Sequence, residues 1–267
     1  MTRWKDKTVL VTGGSMGLGR AIAETFANAG AQVMVAARDE RRVVDATDAW
    51  RTAGLRVLGT TVDVTNDDDV GRLFAHVANT WGRLDVLVNC VGRSSRGSVT
   101  DTTAGDYAEL LELNFLSAVR CTTAALPQLR RARGHVVLIG SLASKAASPY
   151  MGAYAASKFP LVAYAQQLRL ELGPEGLHTL LVCPGPISRD DAGSRYDATA
   201  ANLPESASQP GGGVKLRGID PLLLSRRIVR YCELRKPELV VPGRARLLFA
   251  LAQLWPGLGD WLVRRNT

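Results

Sequence analysis

Short apolar runs rich in Val and Leu recur along this chain, each separated from the next by a longer stretch with helical periodicity. The runs fall near 8–11, 32–36, 56–62, 86–89, 135–139, 179–182 and 238–241. The helical stretches fall near 18–29, 41–52, 67–80, 104–131, 154–172 and 221–234. Strands that are apolar throughout belong in a sheet covered on both faces, and their alternation with helices is the signature of repeated βα units. The expected fold class is therefore α/β: one domain, 1–267, built as a doubly wound, seven-stranded parallel sheet with helices on both faces.

Two segments stand outside this rhythm. Residues 188–218 lack periodicity and carry Asp190-Asp191, Pro204, Pro210 and Gly211-Gly212-Gly213. A connection this long in a small domain is usually a lid or binding loop, and this one follows the carboxyl end of a strand, where open α/β sheets bind their ligands. It is read as a substrate lid. Residues 244–265 form an apolar extension that Pro256 and its neighbouring glycines divide into two short pieces. Neither piece is long enough to span a bilayer. Flanking arginines with Trp255 and Trp261 suit a membrane-surface anchor, and the alternative is a tail packed on the subunit's own pocket or on a neighbouring subunit.

With 267 residues, 46% hydrophobic and 22% charged, the chain is long enough for a full core and short enough for one domain. The net charge of +8 comes mainly from arginine. Such a composition reflects genome bias more often than a partner, and no nucleic-acid recognition module accompanies it, although the positive field suits a phosphorylated cofactor or acidic substrate. Cys90, Cys121, Cys183 and Cys232 are isolated and read as buried thiols in a reducing compartment. His76, His135 and His178 share no ligand spacing with one another or with cysteine, so no metal is expected. The amino terminus runs into the first strand without a signal-like apolar stretch, which predicts a cytoplasmic protein.

Candidate chemistry lies in two places. The first is the turn Thr12-Gly13-Gly14-Ser15-Met16-Gly17-Leu18-Gly19 between strand and helix. There, backbone N–H groups and a helix N-terminus are placed to receive a pyrophosphate. Gly13 makes the turn, Gly17 lets phosphates approach, Gly19 permits close helix packing, and Ser15, Met16 and Leu18 complete the site. The second is Tyr154 and Lys158, which a helix presents on one face, one turn apart. A cation so placed lowers the pKa of the phenol, fitting it for proton transfer near neutral pH.

These motifs, in this order and over nearly the whole length, resemble the short-chain dehydrogenase/reductase family, whose fold is of the Rossmann type. Asp63-Val64 resembles the family's adenine contact. Asn89-Cys90-Val91-Gly92 resembles its Asn-Asn-Ala-Gly segment, with Cys90 and Val91 as departures and a structural role expected for Asn89 and Gly92 in the cofactor site. The resemblance implies that Tyr154 is the acid/base, that Lys158 also bonds the nicotinamide ribose, that Ser141 holds the carbonyl oxygen and that Asn114 supports a water relay near Lys158. It implies that Pro184-Gly185-Pro186-Ile187 receives the nicotinamide carboxamide through Ile187. The threonine that follows in the family is replaced by Arg189, with Ser188 as the candidate substitute for its hydroxyl.

Cofactor choice turns on the end of the second strand, Val35-Ala36-Ala37-Arg38-Asp39. The family's acidic position is filled by Ala37, and Arg38 is suited to pair with a 2′-phosphate, so NADP(H) is expected in preference to NAD(H). Asp39 is the rival, about twenty residues past the glycines. The implied reaction is hydride transfer between a ketone and a secondary alcohol on an apolar or lipid-like substrate, such as a 3-oxoacyl or 3-ketosphinganine-like compound. A homodimer or homotetramer is expected, since 104–131 and 154–172 are apolar on more than one face. The competing classes are a catalytically weak nucleotide-binding redox sensor and a membrane-surface adaptor acting through the tail, with peripheral membrane contact.

Overall fold

The computed structural model describes residues 3–189, 196, 200, 202–209, 211 and 216–266. Its seven strands are β1 (Thr8–Thr12), β2 (Gln32–Ala37), β3 (Val57–Thr61), β4 (Val86–Asn89), β5 (His135–Ile139), β6 (His178–Pro184) and β7 (Glu238–Val241). All pair in parallel, in the order β3-β2-β1-β4-β5-β6-β7. The order reverses at β1, which leaves a crevice at the carboxyl ends of β1 and β4.

The alternation of side chains along each strand divides the core into two layers. Val9 and Val11 face α1 (Gly17–Asn28), α2 (Glu40–Thr52) and α9 (Pro221–Glu233), packing with Ile22, Phe26, Val43, Trp50, Leu224 and Ile228. Leu10 faces the other way, with Leu73 and Phe74 of α3 (Asp67–Trp81), Leu129 of α5 (Ser117–Ala132) and Leu161 and Leu168 of α7 (Pro160–Leu172). Phe26 is fully buried and meets the edge of Trp4 at 4.9 Å. Its truncation to alanine costs about 3–5 kcal/mol.

Both long helices expected from the sequence are interrupted. The 104–131 segment is α4 (Ala104–Leu111), a π turn at Glu112–Leu116 and then α5. The widened turn turns Asn114 inward, a distortion that recurs at functional sites. The 154–172 segment is α6 (Tyr154–Lys158) and α7, separated at Phe159 because Pro160 has no N–H to continue the ladder. Beyond β7, α10 (Ala245–Leu254) and α11 (Pro256–Asn266) meet at Trp255, whose extended backbone is what a following proline requires. Among the described residues no helix is long and apolar enough to cross a membrane.

Of the segment read as a lid, residues 190–195, 197–199, 201, 210 and 212–215 lie outside the described residues. The described part includes α8 (Glu205–Ser208) and docks on the chain after β4. There the Arg96 guanidinium donates to the carbonyls of Ala207 at 2.5 Å and Gln209 at 3.0 Å, and stacks 3.8 Å over the Tyr196 ring.

Candidate active site

A cleft of about 1050 Å³ opens at the carboxyl edge of the sheet and runs from the glycine turn to α10 and α11. Each glycine of the turn has a distinct reason to be there. Gly13 has φ +70° and Gly17 φ +53°, conformations that other residues rarely adopt. A Cβ on Gly19 would lie 2.1 Å from the Gly13 carbonyl oxygen, so the start of α1 packs directly on the turn. Above Gly17 the space is open except for Arg189, whose Nη1 would be 3.6 Å from a Cβ placed there. A helix N-terminus with a bare backbone approach fits a dinucleotide diphosphate. Ser15, Met16 and Leu18 line the same wall.

At the end of β2, Arg38 lies at the rim, 4.0 Å from the Asp63 carboxylate, and Arg42 lies beside it. Asp39 also borders the cleft, but its carboxylate caps α2 by accepting from the Arg42 N–H at 3.1 Å and pairs with the Arg42 guanidinium. The rival carboxylate is therefore engaged by its own helix. Asp63 accepts from the Thr65 N–H at 2.9 Å and from its hydroxyl at 2.7 Å, and Val64 follows it on the wall.

The four residues assigned to chemistry come together where β4, β5, α6 and the π turn meet. Lys158 is only 4% exposed, and its Nζ donates to the Ile139 carbonyl at 3.0 Å. Burial lowers its pKa from 10.5 to about 8. Asn114 is buried, with Oδ1 accepting from the Arg93 N–H at 2.8 Å and Nδ2 donating to the Arg93 carbonyl and the Ser157 hydroxyl. Ser157 in turn donates to the Tyr154 carbonyl at 2.7 Å. The π turn and α6 are thus joined through a residue the sequence did not single out. A Cβ on Gly92 would lie 2.8 Å from Asn114 Oδ1 and 3.0 Å from Lys158 Nζ, so the glycine is needed where the strand end meets both. Tyr154 and Ser141 border the cleft half-buried; Ser141 Oγ accepts from the Ala143 N–H at 3.1 Å as the cap of a short turn.

Asn89 keeps the structural role expected of it at the strand end without lining the cleft: its amide donates to the Thr122 hydroxyl at 3.0 Å, tying the end of β4 to α5, and Cys90, Val91 and Gly92 form the wall. Ser188 does not replace the missing threonine. Its hydroxyl packs on Gly218, where an added Cβ would lie 2.5 Å away, while Arg189 takes the cleft side. Pro184, Gly185 and Ile187 stay on the wall. Ile187 is bridged to Ile219 through the Pro186 carbonyl and the Ser188 N–H, which turns its own N–H away from that pairing.

The far end of the cleft is apolar. Met151, Leu248, Phe249, Leu251, Leu262 and Val263 line it, so the C-terminal extension packs on the subunit's own pocket. The sequence signal for this was the interrupted apolar pattern of 244–265.

Although no metal spacing exists along the chain, the pairing of β5 with β6 sets His135 opposite His178, and Cys232 joins them with ligand atoms within 4.8 Å. His178 Nε2 faces the Lys236 carbonyl at 2.9 Å and must donate, so its Nδ1 accepts from His135 Nδ1 at 2.8 Å. Burial lowers the two pKa values to about 3 and about 4, which leaves both rings neutral.

The profile of the short chain dehydrogenase family matches residues 7–199. Dehydrogenase/reductase SDR family member 7B of Danio rerio is 32% identical, over 95% of this chain and 83% of that protein. The NADPH-dependent 1-acyldihydroxyacetone phosphate reductase of Schizosaccharomyces pombe is 32% identical, over 94% and 86%. Among solved structures, a short-chain dehydrogenase from Streptomyces avermitilis superposes with a TM-score of 0.79 at 30% identity, covering 98% of this chain and 99% of that one. A variant of actinorhodin polyketide ketoreductase with NADPH gives 0.80 at 27% identity, covering 91% and 98%. With its parallel sheet, glycine turn and Tyr154–Lys158 helix, the chain belongs to the short-chain dehydrogenase/reductase family of oxidoreductases.

Proposed function

We propose that the protein is an NADP(H)-dependent ketoreductase acting on an apolar or lipid-like substrate. The observation that carries the reading is Lys158, buried and anchored to Ile139 one helical turn from Tyr154, in a cleft with arginines at one end and an apolar lining at the other. When bound, the nicotinamide supplies or accepts the hydride. Arg38 and Arg42 are placed for the 2′-phosphate, the glycine turn and Arg189 for the diphosphate, and Lys158 for the ribose.

The Ser141 hydroxyl holds the carbonyl oxygen in place. As that oxygen becomes an alkoxide, the Tyr154 phenol transfers its proton to it. A positive charge one turn away favours the resulting phenolate, and Asn114 fixes the strand end beside Lys158. Met151, Leu248 and Leu251 select an apolar chain next to the ketone. The names of relatives, a ketoacyl reductase and an acyldihydroxyacetone phosphate reductase, support a 3-oxoacyl or acylated ketone. The free cysteines support a reducing cytoplasm, and exposed Phe159 and Leu170 support a homo-oligomer built on α7.

The test is Tyr154→Phe. Turnover of a ketone panel falls at least about 100-fold while NADPH binding, read by cofactor fluorescence, changes less than about twofold. Undiminished turnover would overturn the assignment.

A further inference from the structure

The two C-terminal helices do more than line the cleft. Leu248 and Leu251 of α10 and Leu262 and Val263 of α11 face the cleft. Around the turn where the two helices meet, Leu254, Trp255 and Leu258 are exposed by 68, 57 and 41%, and Trp261, the next large apolar residue along α11, by 51%. Four large apolar side chains within eight positions form one patch, too concentrated to be scattered surface residues. The hairpin is closed tightly: a Cβ on Gly259 would lie 2.5 Å from that of Ala252, so only a glycine lets α11 fold back onto α10.

The charges that accompany the patch along α11 are mainly positive. Arg264 and Arg265 follow Trp261 on α11, with Asp260 as the acidic residue of the same helix, while Arg244 lines the cleft and Arg246 donates to the Glu238 carbonyl at 3.0 Å. Arg265 stacks 5.2 Å over the Trp261 ring, which places a cation and an amphipathic indole side by side along α11. Tryptophan and leucine entering the acyl boundary, with arginine at headgroup level, is how an amphipathic helix lies in a bilayer interface. A two-fold contact with a second copy through this face would set Arg264 and Arg265 against their own counterparts.

We propose that the α10–α11 hairpin is a docking surface for an anionic phospholipid bilayer, with the patch of Leu254, Trp255, Leu258 and Trp261 entering the acyl boundary. Because the same two helices also line the cleft, docking sets the apolar end of the cleft beside the membrane, and an apolar ketone reaches Tyr154 without crossing water. This access route rests on the ketoreductase reading, whereas docking itself does not.

The test is cosedimentation of the full chain, without cofactor or substrate, with vesicles of phosphatidylcholine or of phosphatidylcholine containing about one-third phosphatidylserine. The expected result is binding to the anionic vesicles at least about tenfold stronger than to the neutral ones, a blue shift of tryptophan emission, and release in about 1 M salt, where the screening length is about 3 Å. Trp255→Ser with Trp261→Ser reduces binding at least tenfold with an unchanged circular-dichroism melt, and Arg264→Gln with Arg265→Gln removes the preference for anionic lipid. Equal binding to both vesicle types overturns the proposal, as does no binding. So does a molar mass by light scattering that halves in the tryptophan variant, which would assign the patch to a second copy. The tryptophan variant keeps turnover of a water-soluble ketone and loses at least tenfold on a vesicle-held one. No turnover of either ketone by the wild type, with its vesicle binding intact, would instead count against the ketoreductase reading.

Discussion

Lys158→Met separates the stability of this fold from its chemistry. The buried ammonium has a pKa of about 8 against 10.5 for an unburied lysine. A depressed folded pKa in a base means that stability present above the unfolded value is lost as pH falls through the folded value. At 1.36 kcal/mol per unit, the charge costs the fold about 3 kcal/mol at pH 7. Methionine fills the same space without charge but leaves the Ile139 carbonyl, now bonded at 3.0 Å, without its donor, which costs about 1–2 kcal/mol. The variant is therefore expected to be more stable than the wild type by about 1–2 kcal/mol at pH 7 while its turnover collapses, a site in which activity is held at the expense of stability. Urea unfolding of both proteins without cofactor checks this. The sharper quantity is the pH dependence: relative to the variant, the wild type gains about 2.5 kcal/mol between pH 7 and pH 10. A difference that does not change with pH, or a variant destabilised at pH 7, would show that Lys158 is not a desolvated cation.

Arg38→Ala is expected to weaken NADPH by about 2 kcal/mol, roughly 30-fold, and to leave NADH nearly unchanged, whereas Arg189→Ala weakens both alike because it lies over Gly17 and not at the ribose end. Isothermal titration with each cofactor distinguishes the two, and equal losses of NADPH and NADH in the Arg38 variant would remove its phosphate role. The neutral pair of His135 and His178 makes the fold acid-sensitive. Their folded pKa values lie below 6.5, so stability is full above pH 6.5 and falls by about 2 kcal/mol per ring by pH 5. Urea midpoints at pH 7 and pH 5 read this loss, and His178→Asn is expected to halve it.

Where the physics is local, the residues could be read directly. The seven apolar runs became seven strands, and β4, β5 and β7 begin and end where the pattern did, because a strand buried on both faces has to be apolar throughout. Gly13, Gly17 and Gly19 were legible because positive φ and close backbone approach leave little else that fits. Tyr154 and Lys158 were legible because one helical turn fixes their common face. The interruptions at Asn114 and Pro160 were missed, since apolar periodicity continues across a π turn and across a missing N–H.

Apolar periodicity, glycine placement and helix geometry set the order of βα units, the glycine turn and the one-turn spacing of phenol and ammonium. Tertiary structure decided which way a side chain looks at a strand end. There a step of one residue reverses direction: Asn89 turns to Thr122 while Cys90 lines the cleft, and Ser188 turns to Gly218 while Arg189 reaches over Gly17. It also decided what distant segments share. His135 meets His178 through the register of β5 and β6, and the C-terminal helices close the cleft that the first glycine turn opens. Periodicity is a property of neighbours along the chain, whereas register and docking depend on contacts between residues far apart in it, which no local pattern encodes.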